Sequence, residues 1–257
     1  MRTMVALRCL IVGLWSMSFG VSAQTTAPAV HRDTLTLVDT ARGRTIPIAI
    51  WTKTGASLDH QLPVLLSHGY NENLPGTYLH YSFLAEFLAE HGCFVVSIQH
   101  ELSGDEPLAM NGNLRELRMP NWERGAKNIL FVLNELKRTH PELSFAHTTL
   151  IGHSNGGDMS VLFAQQHPEL VENLITLDNR RLPLPRSKTP RVLSLRSNDA
   201  PADEGVLPTR EEELRFGIKV VRMDNTRHNE MSDRANADQR EAIRWLVFAF
   251  LDMADHH

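Results

Sequence analysis

The rhythm of hydrophobic and polar positions changes near residue 63. Before it, 33–39 and 45–51 alternate, with Leu35 and Leu37 in the first run and Ile46, Ile48 and Ile50 in the second. Arg42-Gly43 lies between them, and alternation of period two around a turn predicts an antiparallel hairpin. After it, short and almost continuously apolar runs occupy 64–67, 94–99, 149–153, 174–178, 192–196 and 218–223. Longer segments of helical character separate several of them, at 81–91, 122–139 and 155–167, and a last one at 235–253 carries Ile243, Leu246, Val247 and Phe250 on one face. Strands apolar at every position are buried on both sides, so the expected fold class is α/β. The chain should form a mostly parallel central sheet of about eight strands with helices on both faces. Right-handed crossovers then bring the strand C-termini to one edge, where sites form in such sheets. The stretch 100–120 has no period and follows a strand end. The stretch 180–191 is short and holds Pro183, Pro185 and Pro190, which leaves little or no lid.

The N-terminus departs from this pattern. Arg2 and Arg8 precede and flank an apolar run over 9–20, and Val21-Ser22-Ala23 follows with small residues at −3 and −1. This reads as a cleavable secretory signal over 1–23, leaving a single domain over 24–257 that is secreted or periplasmic. The apolar run is shorter than the roughly 20 residues a bilayer span needs, so no stable membrane insertion is expected after cleavage. Of the 257 residues, 42% are hydrophobic and 22% charged, which is a globular composition. The 26 basic residues are outnumbered by 30 acidic ones, so nucleic acid is not an expected partner. Cys9 would leave with the signal, and Cys93 alone cannot form an internal disulfide. Cys93 opens an apolar run and reads as a buried thiol, not a nucleophile.

Gly152-His153-Ser154-Asn155-Gly156 is a G-x-S-x-G placed between an expected strand and an expected helix. A serine on so tight a turn has a strained backbone, and its neighbours two residues away must be small for the turn to close. Ser154 is therefore the candidate nucleophile. Ser67-His68-Gly69-Tyr70 ends the first parallel strand, so the backbone N–H of Tyr70 and that of Asn155 are the candidate oxyanion donors. A serine needs a base. Among 13 histidines, His228 sits after the last expected strand and before the last helix, where a late base belongs. Two aspartates stand at strand ends as its acid. Asp199, after the penultimate strand, is placed first; Asp178, ending the strand before, is the alternative. Arg180, Arg181 and His100 are candidate substrate contacts. A run of Arg186, Lys188 and Arg191 beyond the first two reads as a solvated basic loop or as a preference for anionic substrates. No H-E-x-x-H or cysteine pair occurs, so no metal is expected.

Taken together, strand-His-Gly, elbow, acid and late histidine resemble the α/β-hydrolase superfamily over about residues 33–252. The closer resemblance is to its platelet-activating-factor acetylhydrolase and dienelactone-hydrolase-like branch. It is carried by Leu66-Ser67-His68-Gly69, by His91-Gly92-Cys93-Phe94-Val95-Val96 with its Gln99-His100 ending, by Gly152-His153-Ser154, by Leu177-Asp178 and by His228-Asn229-Glu230-Met231-Ser232-Asp233. The resemblance implies a serine esterase without a cofactor, acting on a small-molecule ester. It also maps the acid of the acetylhydrolases to Asp178, whereas most other α/β hydrolases would have it at Asp199. Two features depart from the branch: Asn155 stands where a large residue is common, and Asn179-Arg180-Arg181 where apolar residues are usual. The expected activity is cleavage of short-acyl or accessible esters through a Ser-His-Asp triad. The rival readings are an amidase, peptidase or acyltransferase using the same triad, and a non-catalytic binding module.

Overall fold

The computed structural model describes residues 29–59 and 61–252; the expected signal segment lies outside them. Eight strands form one sheet: β1 (Val30–Asp39), β2 (Arg44–Lys53), β3 (Leu62–Ser67), β4 (Cys93–Ile98), β5 (Thr148–His153), β6 (Val171–Leu177), β7 (Arg191–Arg196) and β8 (Lys219–Arg222). Their order is β1-β2-β4-β3-β5-β6-β7-β8. The hairpin β1–β2 is antiparallel, and β2 pairs antiparallel with β4; all later pairings are parallel. The expected architecture is thus the observed one.

Among the described residues five α-helices accompany the sheet: α1 (Ser82–Glu90), α2 (Leu114–Thr139), α3 (Ser154–Gln166), α4 (Arg210–Phe216) and α5 (Ala237–Asp252). Side chains of the central strands divide between two cores. On one face Leu65, Val96, Leu150 and Leu174 pack with Trp122, Ile129 and Leu133 of α2 and Phe163 of α3. On the other, Val64, Leu66, Ile151 and Ile175 pack with Leu84 and Leu88 of α1 and Ile243 and Val247 of α5. Consecutive residues of one strand therefore serve opposite cores, which is why these strands are apolar throughout. Among the described residues no helix is long and apolar enough to cross a membrane. Burial pushes the Cys93 thiol up to about 12, so it stays protonated at neutral pH.

Two elements differ from the sequence expectation. Helix α2 begins at Leu114, eight residues before the expected start, and carries Pro120 inside it. Proline at the seventh position removes one ladder hydrogen bond, and the exposed first turns have no apolar stripe. Helix α4 was not expected. It is short and has no buried residue, but its ends are marked: Thr209 and Glu212 form a capping box, and Gly217 closes it in the left-handed region.

The sheet and α3 meet at glycine. A Cβ on Gly156 would lie 2.3 Å from the His68 carbonyl oxygen and 2.5 Å from that of Ser67. Both obstacles are backbone of the central strand's end and have no room to retreat. Gly156→Ala should therefore lose at least about 2 kcal/mol of stability in a urea titration. Gly205→Ala, where a Cβ meets nothing within 4 Å, should lose less and only through its positive φ of 77°.

Candidate active site

Ser154 has φ 51°, in the left-handed region that a β-carbon disfavours. The strain is held from both sides. A Cβ on Gly152 would lie 2.4 Å from the Gly156 carbonyl oxygen, so the strand packs directly against the first turn of α3. The turn throws Ser154 Oγ clear of both elements, into an open cavity of about 320 Å³ at the C-terminal edge of the sheet.

His228 meets it there. Its Nε2 lies 2.8 Å from Ser154 Oγ, and its Nδ1 lies 2.6 Å from Asp178 Oδ2. The partner carboxylate is thus Asp178, not the first-placed Asp199. Asp178 follows directly on β6 with φ 62°, fully buried. Its Oδ1 accepts the Ser197 N–H at 3.1 Å and pairs with Arg196 at 2.8 Å; its Oδ2 also accepts the Ser197 hydroxyl at 2.6 Å. Burial opposes ionisation of this carboxyl. The His228 hydrogen bond, the Arg196 charge and the Ser197 hydroxyl outweigh it and hold the pKa below its usual value. Asp199 sits on the exposed side of the same loop, where its Oδ1 accepts the backbone N–H of His228 at 2.7 Å. It grips the main chain of His228 while Asp178 meets the ring. The two aspartates share one histidine because β6 ends pointing at the elbow, whereas the chain after β7 runs on toward the surface.

The elbow's other members form a chain of hydrogen bonds that the sequence did not reveal. Gly69 N–H donates to the Tyr81 hydroxyl at 3.0 Å, and that hydroxyl lies 2.7 Å from His153 Nδ1. His153 Nε2 lies 2.9 Å from the His228 carbonyl oxygen. A carbonyl can only accept, so His153 carries its proton on Nε2 and Tyr81 donates to Nδ1. Burial, then the neighbouring His228 ring, pull the His153 pKa down to about 3, so this ring stays neutral. It lies 4.8 Å from the His228 ring, centre to centre. Tyr81 is the residue before α1, and its signal in the sequence was only an aromatic residue at the start of the expected helix over 81–91.

Tyr70 and Asn155 both line the cavity beside Ser154. The Asn155 side chain points away from it into a buried network. Its Oδ1 accepts the Trp122 indole N–H at 2.8 Å, and its Nδ2 donates to Glu101 Oε1 and Asn121 Oδ1, each at 2.8 Å. This explains the polar residue after Ser154, because a large apolar one would leave the Trp122 indole N–H without its partner and take one hydrogen bond each from Glu101 and Asn121. His100 belongs to the same buried layer and not to the cavity, which corrects its reading as a substrate contact. It is fully buried, with Nε2 2.9 Å from Ser67 Oγ, because the chain turns inward beneath the elbow after β4.

Arg180 and Arg181 do line the cavity. The rest of the basic loop does not. Arg186 ties down backbone carbonyls of Leu184, Val206 and Leu207, and Arg191 donates to the Phe250 carbonyl. Two arginines from elsewhere, Arg118 of α2 and Arg234 beyond His228, complete the lining. No cluster of three or more histidine, cysteine or carboxylate side chains suited to a metal occurs among the described residues.

Comparison with known proteins bears on the fold. Residues 59–177 match the model of a hydrolase family described as serine aminopeptidase, S33. No curated protein matches the sequence. Among solved structures, the chain is similar to XC6422 of Xanthomonas campestris, described as an α/β serine hydrolase without a lid, with a TM-score of 0.56 at 18% identity over 88% of this chain and 98% of that one. It is likewise similar to P91 from metagenomic libraries, a dienelactone hydrolase-like promiscuous phosphotriesterase, with a TM-score of 0.59 at 17% identity over 87% of this chain and 98% of that one. An esterase of the fungus Rhizomucor miehei matches with a TM-score of 0.62 at 14% identity over 90% of this chain and 87% of that one. The chain has the α/β-hydrolase fold, with an open sheet and no lid among the described residues.

Two measurements test the geometry. Asp178→Asn should slow labelling of Ser154 by a fluorophosphonate at least 100-fold, whereas Asp199→Asn should slow it less than about tenfold, since it loosens only a backbone contact. Tyr81→Phe leaves His153 Nδ1 and the Gly69 N–H without their shared partner. It should slow labelling several-fold and also lower the urea midpoint, since two buried hydrogen bonds of about 1 kcal/mol each are lost.

Proposed function

We propose that the protein is a serine hydrolase that cleaves carboxylic esters by way of an acyl-enzyme. The observation that carries this reading is the line from Ser154 Oγ through the His228 ring to the buried Asp178 carboxylate, with contacts of 2.8 and 2.6 Å. His228 takes the Ser154 proton as Oγ attacks the ester carbonyl. The carbonyl oxygen becomes an oxyanion, for which the Tyr70 and Asn155 N–H groups are the proposed donors. Asn155 is the first residue of α3 after the serine, so its N–H lies among the orphan donors of a helix start, where negative charge is favoured. Collapse of the intermediate expels the alcohol, which takes the proton from His228. Water then attacks the acyl-enzyme, gives its proton to His228, and the acid leaves as Ser154 is restored. Asp178 keeps the ring in the tautomer that offers Nε2 to serine and stabilises the imidazolium.

The open cavity favours short or exposed esters over long acyl chains, as does the absence of a lid. The matched family's name raises peptidase chemistry as a second reading. An aminopeptidase substrate presents a free ammonium group, and this cavity presents four arginines against one carboxylate, Asp158. That charge balance favours ester over aminopeptidase substrates. Export is proposed with the activity, the signal being removed after Ala23.

The intact mass of exported protein treated with a fluorophosphonate tests both points. A chain beginning at Gln24 with a single adduct, lost in Ser154→Ala and slow to form in His228→Ala, is the expected result. Ester panels should then turn over, and aminoacyl anilides should not. A folded chain that takes no adduct would refute the hydrolase reading.

A further inference from the structure

The cavity beside Ser154 carries an electrostatic imbalance that ester hydrolysis does not need. Arg118 arrives from α2, Arg180 and Arg181 from the segment after β6, and Arg234 from beyond His228. Three separate parts of the chain thus bring guanidinium groups to one opening. Arg181 pairs with Asp203, but no carboxylate pairs with Arg118, Arg180 or Arg234 among the described residues. Arg118 Nε donates to the Ala109 carbonyl at 2.8 Å and Arg180 Nε to that of Pro201 at 3.2 Å, contacts that fix their orientation without neutralising them. Arg118 is half-buried, and burial, then repulsion from Arg181, lowers its pKa, with the Asp158 and Asp203 charges opposing the shift.

Asp158 is the one carboxylate among the described residues lining this space. It does not restore the balance. Its Oδ1 already accepts the N–H groups of Arg181 at 3.0 Å and Leu182 at 2.9 Å, and burial pushes its pKa up to about 6. It anchors the backbone that carries the arginines instead of pairing with their heads. Gathering like charges around a half-enclosed space is unfavourable unless an opposite charge enters it. Guanidinium groups present their donors in a planar fork that matches a carboxylate or phosphate. On the remaining wall Leu108, Met110 and Leu114 supply apolar surface.

We propose that this arginine-lined wall is a binding subsite for an anionic group on the substrate, so that the enzyme hydrolyses esters whose acid or alcohol part bears a carboxylate or similar oxyanion. The inference rests on the esterase reading of the same cavity. Ser154 attacks the neutral ester carbonyl, while Arg118 and Arg180, which no carboxylate pairs, hold the distant anion. Hydrolysis of a dicarboxylic acid monoester consumes one water and yields the dicarboxylate, the alcohol and a proton.

Matched pairs of esters test it. Monomethyl glutarate and the methyl ester of glutaramic acid differ only in carboxylate against amide on the acyl side; γ-acetoxybutyrate and γ-acetoxybutyramide differ likewise on the alcohol side. At low salt, kcat/KM by NMR should favour the anion over the amide about tenfold or more in one pair, the least that one charge-assisted contact is worth. The pair that shows it tells which side of the ester faces the arginines. The ratio should fall as salt rises, and fall again in Arg118→Gln and Arg180→Gln. A ratio near one in both pairs overturns the proposal, as does a preference that survives both substitutions. If no ester is hydrolysed, the esterase reading fails and calorimetry decides the subsite separately. Glutarate binding more tightly than glutaramide, and less so in Arg118→Gln, upholds it; equal binding overturns it.

Discussion

The close approach of α3 to the ends of β3 and β5 is the constraint on which the site depends. It requires Gly156, whose missing side chain lets the helix start against the Ser67 and His68 carbonyls, and Gly152, which lets the strand pass under that helix. With both in place the turn can close only by putting Ser154 at positive φ. The conformation is costly for serine, and the packing around it is dense enough to hold it. Everything else in the cavity is arranged around a side chain whose position the two glycines dictate.

The electrostatics follow the same economy of placement. His228 is held at three points: its ring by Asp178, its N–H by Asp199 and its carbonyl by His153. The Asp178 charge is kept by Arg196 and Ser197, both of which belong to the neighbouring strand and its end. A buried carboxylate with an opposite charge and two further donors remains ionised, whereas Asp158, which lacks a paired cation, has its pKa raised by burial. Two aspartates near one cavity thus have pKa values displaced in opposite directions because of their partners.

Much of this was readable from the chain. The apolar runs located the parallel strands, because double-sided burial leaves no polar position. The elbow and late histidine located Ser154 and His228, because tight turns demand glycine at fixed spacing. The choice between Asp178 and Asp199 was not readable. Both lie at strand ends, and which one reaches the ring depends on how far each loop travels after its strand, a tertiary matter. Arg118 escaped notice because its helix begins with exposed turns and contains Pro120, which hides the helix from any periodicity argument. His100 misled for the opposite reason: a strand-end histidine can turn toward a cleft or beneath it, and only the packing around Ser67 tells which.

His228 stands on a short 3-10 turn, His228–Glu230, between the edge strand β8 and the last helix. β8 has four residues, none of them buried, and pairs only with β7. Ser154 and Asp178 instead grow from strands at the middle of the sheet. The histidine is therefore carried next to an edge of the sheet and its two partners by the middle. Local fraying of that border would separate base from nucleophile without disturbing the core. Heat inactivation of such a molecule should then begin with detachment of its edge, at temperatures where most of the sheet still protects its amides from exchange with solvent.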